Sequence, residues 1–474
     1  MRNSASRAWL AAVLVAGATL FGYVDVEAAD RPPNIILILS DTTRPDFIGA
    51  FGFDGDVSPN LDHLASDAAV FTHAVSTAPW TKPAVASVFT SLDPLTHRVV
   101  DHDGEFWTQV RGEFKSSALP KAAHTLAEVL NAHGYRTGAW VANSWITKNM
   151  QFDQGFERFV DTSENIQEGE KVWTPAWQWA SNPGNDKRPF FLYIHLMDVH
   201  GPWAWSQEDF DAVRKSPSLT TGLSRKKADS EVEVPMARKV KFKVPDKRLA
   251  TYRAVYASRI RAMDRHLGRF FAELEKSGVS DQTVIVFMAD HGEEIMDHGK
   301  NGHGQGLTGD QTRVPLIIRP PGGRDEERTI TDPVSNIDVM PTLLEAAGIQ
   351  DGPPEMQGTS LWRAVVSDRP LKHSDLVFSD AVKQAPKMTS VQSSEYELIE
   401  FGSTTPPGVQ LFDLTKDPAE QLDVAKSLPK VAQKLKEELD DHLEILSKTK
   451  TLLQTQGKMS KEQMEKLKSL GYVD

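Results

Sequence analysis

Cysteine does not occur in this 474-residue chain. Its absence excludes a disulfide framework, a thiolate nucleophile, cysteine metal ligands, a lipid-modified cysteine behind a leader and any cofactor made by oxidising a cysteine. At this length the hydrophobic core can carry stability without cross-links. A basic excess is missing too: 53 Lys and Arg stand against 65 Asp and Glu, a net charge of −12, with no sustained basic patch. That argues against a nucleic-acid partner. Long apolar runs are scarce, and the run from Trp9 to Val24 is shorter than the ~20 residues a spanning helix needs. Arg2 and Arg7 flank its start and Val26-Glu27-Ala28 follows it, which predicts a signal peptide over residues 1–28. The expectation is an exported protein, periplasmic or extracellular, with no transmembrane segment after signal removal. An uncleaved anchor is the alternative.

What is present is a series of apolar runs that end in polar residues. Asn34 to Ser40 is apolar on both faces and ends in Asp41-Thr42-Thr43-Arg44. Such a run reads as a central strand of a parallel sheet, and open α/β sheets place their sites at the carboxyl ends of their strands. Phe190 to Met197 runs into Asp198-Val199-His200-Gly201-Pro202, and Thr283 to Met288 into Ala289-Asp290-His291-Gly292-Glu293. A further strand is expected over Arg313–Ile318, with helices at Leu61–Ala69, His124–Gly134 and Tyr252–Ser277 between the runs. The alternation predicts an α/β domain over residues 29–367 with a mostly parallel sheet flanked by helices. A polar, Lys/Arg-rich insertion at 213–248 reads as a surface loop or lid. Residues 368–474 predict a small C-terminal α+β subdomain: short antiparallel strands, then a charged helix from Val431 to Lys450.

The stretch Ser76–Pro94, STAPWTKPAVASVFTSLDP, predicts a helix that begins at Thr81. Pro83 suits a first helical turn, where its missing N–H has no partner to lose. Thr81 then lies at or near the N-cap and has two readings. It either caps the helix or presents its hydroxyl beside N–H groups that attract an anion.

Taken together these motifs resemble the sulfatase branch of the alkaline phosphatase superfamily. N-I-I-L-I-L-S-D-T-x-R-x-D at Asn34, D-V-H-G-P at Asp198, A-D-H-G-E at Ala289, R-V-P-L-I-I at Arg313, S-N-I-D-V-M-P-T-L at Ser335 and L-F-D-L-x-K-D-P-A-E at Leu411 fall in that family's order. One motif departs from it. Sulfatases carry C-x-P-S-R or a serine equivalent, whose first residue becomes formylglycine; here the stretch is Thr81-Lys82-Pro83-Ala84-Val85. Threonine does not yield that aldehyde. Thr42 stands where the family has a second acidic residue, and His303 occupies the region of its substrate-anchoring lysine. The chain shares these departures with phosphoethanolamine transferases and lipoteichoic-acid synthases, which use a threonine nucleophile.

The resemblance implies Asp41, Thr81, Asp290 and His291 around one divalent ion, Zn or Mn rather than Ca. His200 and His303 would lie beside the transferred group, one of them protonating the leaving oxygen. Asp198 would orient His200, or join both histidines in a second metal site. Lys82 and Arg44 are candidates to grip an anionic ester, although basic residues expected at the surface seldom do, and His298 reads as a surface residue. The implied substrate is a small anionic ester or a glycan or lipid headgroup, with phosphate esters favoured over sulfate. Two alternatives stand beside this reading: a sulfatase working without formylglycine, and a binding protein that has lost turnover.

Overall fold

The computed structural model describes residues 31–100, 114–164, 167–219, 246–371, 374–381, 387–402, 408–449 and 455–469. The expected signal peptide and most of the 213–248 insertion lie outside these. Residues 33–474 form one compact unit, and no described helix is long and apolar enough to cross a membrane.

Eight strands make the central sheet: β1 (Asn34–Ser40), β2 (Ala69–Phe71), β3 (Arg136–Val141), β4 (Arg158–Asp161), β5 (Phe190–Leu196), β6 (Thr283–Met288), β7 (Leu316–Arg319) and β8 (Arg328–Ile330). Their spatial order is β8-β2-β7-β6-β1-β5-β3-β4. β6, β1, β5, β3 and β4 are all parallel. β7 runs antiparallel to β6 and to β2. The apolar runs on β1, β5 and β6 are buried throughout their interiors, as expected for strands covered by helices on both faces. Their carboxyl ends therefore emerge side by side.

The Arg313–Ile318 run is not one strand. Arg313–Val314 pairs with Ala74–Val75, and the main sheet takes up Leu316–Arg319. Pro315 lies between them and has no N–H to donate to a ladder. The expected Leu61–Ala69 helix stops at Ala65, and Ala69 begins β2 instead. The C-terminal sheet is a four-stranded antiparallel meander over Val377–Ala381, Met388–Gln392, Tyr396–Phe401 and Gly408–Asp413. A helix over Pro429–Lys448 packs on it through Ala432, Leu435 and Leu439.

The helix that starts at Thr81 runs to Thr90 and is buried along its whole length. His97 anchors it: Nδ1 accepts the Val99 N–H at 3.0 Å, so the ring proton is on Nε2, 3.2 Å from Ser87 Oγ. Burial lowers the His97 pKa from 6.5 to about 4. An unfolded chain would take up this proton near pH 6.5, the folded chain only near pH 4. Stability that is present above pH 6.5 is therefore lost as pH falls toward 4, by about 3 kcal/mol in all. Urea unfolding at pH 7 and pH 4.5 should show this loss in the parent chain and a much smaller one in His97→Gln.

Candidate active site

Asp41 follows β1 directly, and Asp290 and His291 follow β6 after one residue. Because β1 and β6 are parallel neighbours, the two segments meet across one strand spacing. The turn after Asp41 puts Thr42 at φ 58, a conformation seldom adopted by a β-branched residue and one that tends to occur at functional sites. Neighbouring hydrogen bonds hold it there. Tyr256 donates its hydroxyl to the Thr42 carbonyl at 2.6 Å and accepts the Arg44 N–H at 2.9 Å. Thr42 then donates its own N–H to Asp290 Oδ1 at 3.3 Å. What Thr42 contributes is a backbone donor, where the family has a carboxylate.

Thr81 is the first residue of its helix, and Trp80 holds the N-cap position without a side-chain cap bond. The capping reading of Thr81 is thus set aside. Its hydroxyl lies 3.3 Å from His291 Nε2 and 3.4 Å from Asp41 Oδ2, fully buried.

The hydrogen bonds around these groups determine which atoms remain available. His291 Nδ1 is 2.9 Å from the Gly292 carbonyl, an acceptor only, so the proton sits on Nδ1 and Nε2 presents a lone pair. That nitrogen lies 3.6 Å from Asp41 Oδ1 and 3.5 Å from Asp290 Oδ2. Those two carboxylate oxygens are buried and accept no hydrogen bond. Two carboxyl oxygens, an imidazole lone pair and a hydroxyl oxygen thus converge away from water. Such an arrangement is costly without a cation, and one imidazole with oxygen donors suits zinc or manganese better than calcium. The two carboxyls are driven apart in acidity. Burial and the charge of Asp41 push Asp290 well up. Burial would raise Asp41 too, but the His195 hydrogen bond and the nearby His200 and His291 bring it down to about 2.

Three residues that sequence reasoning missed support this cradle. Asn143, just past β3, donates to Asp41 Oδ2 at 2.6 Å. His195, inside β5, lies 3.2 Å from the same oxygen through Nε2, and its Nδ1 is 2.9 Å from the Tyr193 hydroxyl. His195, Asp41 and Asp290 come within ligand distance of one another. We assign His195 to positioning Asp41 instead, because it faces the oxygen already occupied by Asn143, and His291 faces the two open ones. The available signal was a histidine inside an otherwise apolar buried strand. The third is Glu293, whose Oε2 is 3.0 Å from His303 Nδ1, a carboxylate–histidine pairing that fixes tautomer and ring orientation.

His303 lies 4.5 Å from the His291 ring and 5.2 Å from the His200 ring, centroid to centroid, so both expected histidines border the cradle. Asp198 does not serve His200. Its carboxylate pairs with His266 Nε2 at 2.9 Å and accepts the Gly169 N–H at 3.2 Å, which removes it from the suggested second site with His200 and His303. His200 Nδ1 bonds instead to the Gly201 carbonyl. Lys82 is not an exposed ester clamp: it is fully buried against Trp80 and Trp145, and its ammonium donates to Ser116 Oγ. Arg44 is committed to Asp46 and Asp297, 2.7 Å from each. His298, expected at the surface, has a side chain only 22% exposed and packs against Asp310 and Glu420.

The family model described as Sulfatase matches residues 33–349. The chain belongs to the sulfatase family. A second model, N-sulphoglucosamine sulphohydrolase, C-terminal, matches residues 307–448. Among curated relatives, the multifunctional alkaline phosphatase superfamily protein PehA of Trinickia caryophylli is 26% identical, covering 82% of this chain and 90% of its own length. An arylsulfatase of Clostridium perfringens is 25% identical over 88% and 94%. Among solved structures, BT4656 in complex with its substrate D-glucosamine-2-N,6-O-disulfate aligns with TM-score 0.69 at 17% identity, over 88% of this chain and 98% of its own. The phosphonate monoester hydrolase of Agrobacterium radiobacter aligns with TM-score 0.67 at 20% identity, over 87% and 96%. This sulfatase-family chain is thus an ester hydrolase of the alkaline phosphatase superfamily, with the expected α/β sheet and C-terminal subdomain.

Proposed function

We propose that the chain hydrolyses or transfers phosphate esters through Thr81, with Asp41, Asp290, His291 and the Thr81 hydroxyl as the ligands of one zinc or manganese ion. One observation carries the reading: the buried Thr81 hydroxyl faces His291 Nε2 and Asp41 within 3.4 Å. When bound, the ion would acidify that hydroxyl and neutralise charge on the ester oxygens. Asp41 Oδ2 accepts the hydroxyl at 3.4 Å and orients it; with its pKa held at about 2, this carboxylate would pass the proton on to solvent rather than keep it. As the bond from Thr81 Oγ1 to phosphorus forms, the bond to the leaving oxygen breaks, and His303, paired through Nδ1 with Glu293, protonates that oxygen. Burial favours neutral His200, which suits the later step, in which a base deprotonates the water that cleaves the Thr81 ester. The N–H groups at the helix start add donors for the equatorial oxygens.

The chemistry of threonine favours phosphorus. A formylglycine hydrate can expel sulfate by elimination through its second hydroxyl. Threonine has only one, so its ester must be cleaved by attack at the central atom. The second reading, sulfate-ester hydrolysis without formylglycine, rests on the arylsulfatase relatives. We further propose export, supported by the Arg-flanked apolar run of residues 1–28, and a catalytic domain over 29–367 with the C-terminal subdomain over 368–474.

The test is a panel of aryl phosphate mono- and diesters, an aryl phosphonate and an aryl sulfate, assayed with added Zn or Mn. Mass spectrometry of the quenched enzyme follows. A phosphoryl adduct on the peptide containing Thr81 is expected, with phosphorus esters turned over faster than the sulfate. Turnover of the sulfate alone would transfer the assignment to the second reading.

A further inference from the structure

We infer that the chain holds a second divalent-cation site, distinct from the catalytic cradle, formed by Glu294, His298 and Asp310. The three side chains offer ligand atoms that all lie within 4.8 Å of one another, so that side-chain shifts of a few tenths of an ångström bring them within the ~2.0–2.2 Å bonds of one ion.

The hydrogen bonds around His298 call for a cation there. His298 Nε2 is 3.1 Å from the Glu420 carbonyl, an acceptor only; the Gln421 amide nitrogen is 3.3 Å from it but spends its two N–H groups on the Asp297 and Ala419 carbonyls, so His298 Nε2 bears a proton. Nδ1 then faces Asp310 Oδ1 at 3.1 Å, and that oxygen is also an acceptor. Two lone pairs do not approach so closely without a positive charge between them. The Asp310 side chain is 4% exposed, and neither of its oxygens accepts a hydrogen bond. Glu294 is 1% exposed. Its Oε1 accepts the backbone N–H groups of His298 at 3.1 Å and Lys300 at 2.6 Å, while Oε2 takes only the Gln311 amide at 3.1 Å and keeps a lone pair.

The simplest rival occupant is a proton on Nδ1. Its single charge faces two buried carboxylates, Glu294 and Asp310. The nearby basic groups are engaged elsewhere: Arg313 with Glu420 at 2.7 Å, and Lys300 Nζ with the Gln305 carbonyl at 3.1 Å. A divalent ion with a neutral imidazole balances the two carboxylates, and the mixed nitrogen and oxygen set selects Zn²⁺ or Mn²⁺ over Ca²⁺ or Mg²⁺.

The position gives the site a purpose. The segment from Glu293 to Asp310 leaves the catalytic motif, carries His303 and returns to the sheet. Through His298 and Gly309 it is bonded to Glu420, beyond the last strand of the C-terminal meander. An ion at Glu294, His298 and Asp310 would pin the base of this loop on both sides of His303 and tie it to the C-terminal subdomain.

The test counts metal in the full chain. Wild type, Asp310→Asn, Asp290→Asn and the double variant are stripped with chelator, re-equilibrated with Zn²⁺, desalted and analysed by inductively coupled plasma mass spectrometry and thermal unfolding. Two equivalents are expected in wild type, one in each single variant and none in the double. Asp310→Asn should also lose part of the zinc-induced rise in Tm. Zinc content and thermal response equal to wild type in Asp310→Asn would overturn the site and leave His298 held by a proton. If Asp310→Asn does not fold, Glu294→Gln and calorimetric titration of Asp290→Asn with Zn²⁺ decide. Retention of two equivalents by Asp290→Asn would count against the catalytic cradle, and Asp310→Asn reports on the second site alone.

Discussion

Thr81→Ala will lower turnover of the best phosphorus ester by about 10⁴-fold or more, the order seen when a covalent nucleophile is removed from a machinery that acts as a unit. The substitution removes one hydroxyl and one methyl from a buried helix start whose cap does not use the hydroxyl, so the fold should persist. Circular dichroism and the unfolding midpoint would be close to those of the parent. Thr81→Ser keeps the oxygen and should retain a measurable fraction of kcat, reduced by the rotamers that the lost methyl had excluded. Steady-state kinetics of the pair separates a nucleophile from a neighbour that only lines the site. If Thr81→Ala retained turnover within tenfold of the parent, the oxygen would not be the attacking group.

Asp290→Asn, or removal of metal by chelator, should reduce activity about 10³-fold or more, because nucleophile activation and charge neutralisation are lost together. Chelated wild type should recover with Zn²⁺ or Mn²⁺, and Asp290→Asn should not. The carboxylate does two jobs. Oδ1 accepts the N–H groups of Thr42 at 3.3 Å and His291 at 3.0 Å, leaving Oδ2 open. An amide of the same shape can satisfy the backbone, but it lacks the charge that draws a cation. Asn143→Ala is the graded companion to this experiment. It removes the 2.6 Å donor to Asp41 Oδ2 along with the acceptor of the Trp145 N–H, and a loss of about 10- to 100-fold in metal affinity or activity is expected of an outer-shell partner. Metal content and kcat/KM measured on the same preparations check both.

The four residues proposed as ligands were legible because each sits where a run of one character ends. Asp41 and Asp290-His291 close apolar strands, and Thr81 opens a helix. Strand ends of a parallel sheet lie at one edge, so linear pattern placed Asp41 and Asp290-His291 there, and the family resemblance joined Thr81 to them. Side-chain direction was not legible. Asp198 closes its strand in the same way, yet it turns to His266, on the helix over Asp246–Lys276, rather than to the site. His298 looked like a surface residue because its neighbours in sequence are polar; the C-terminal subdomain covers it. Lys82 was read as exposed, and two tryptophans enclose it. Asn143 and His195 were missed because each approaches Asp41 across sequence separations of 102 and 154 residues.

Periodicity and punctuation, which are local, determined that this chain builds a parallel α/β sheet, that polar groups cluster at its carboxyl edge, and that no thiol chemistry operates there. The tertiary structure decided which oxygen of each carboxylate is already satisfied and which remains open. That choice depends on hydrogen bonds from distant strands, whose geometry arises only when the sheet has assembled.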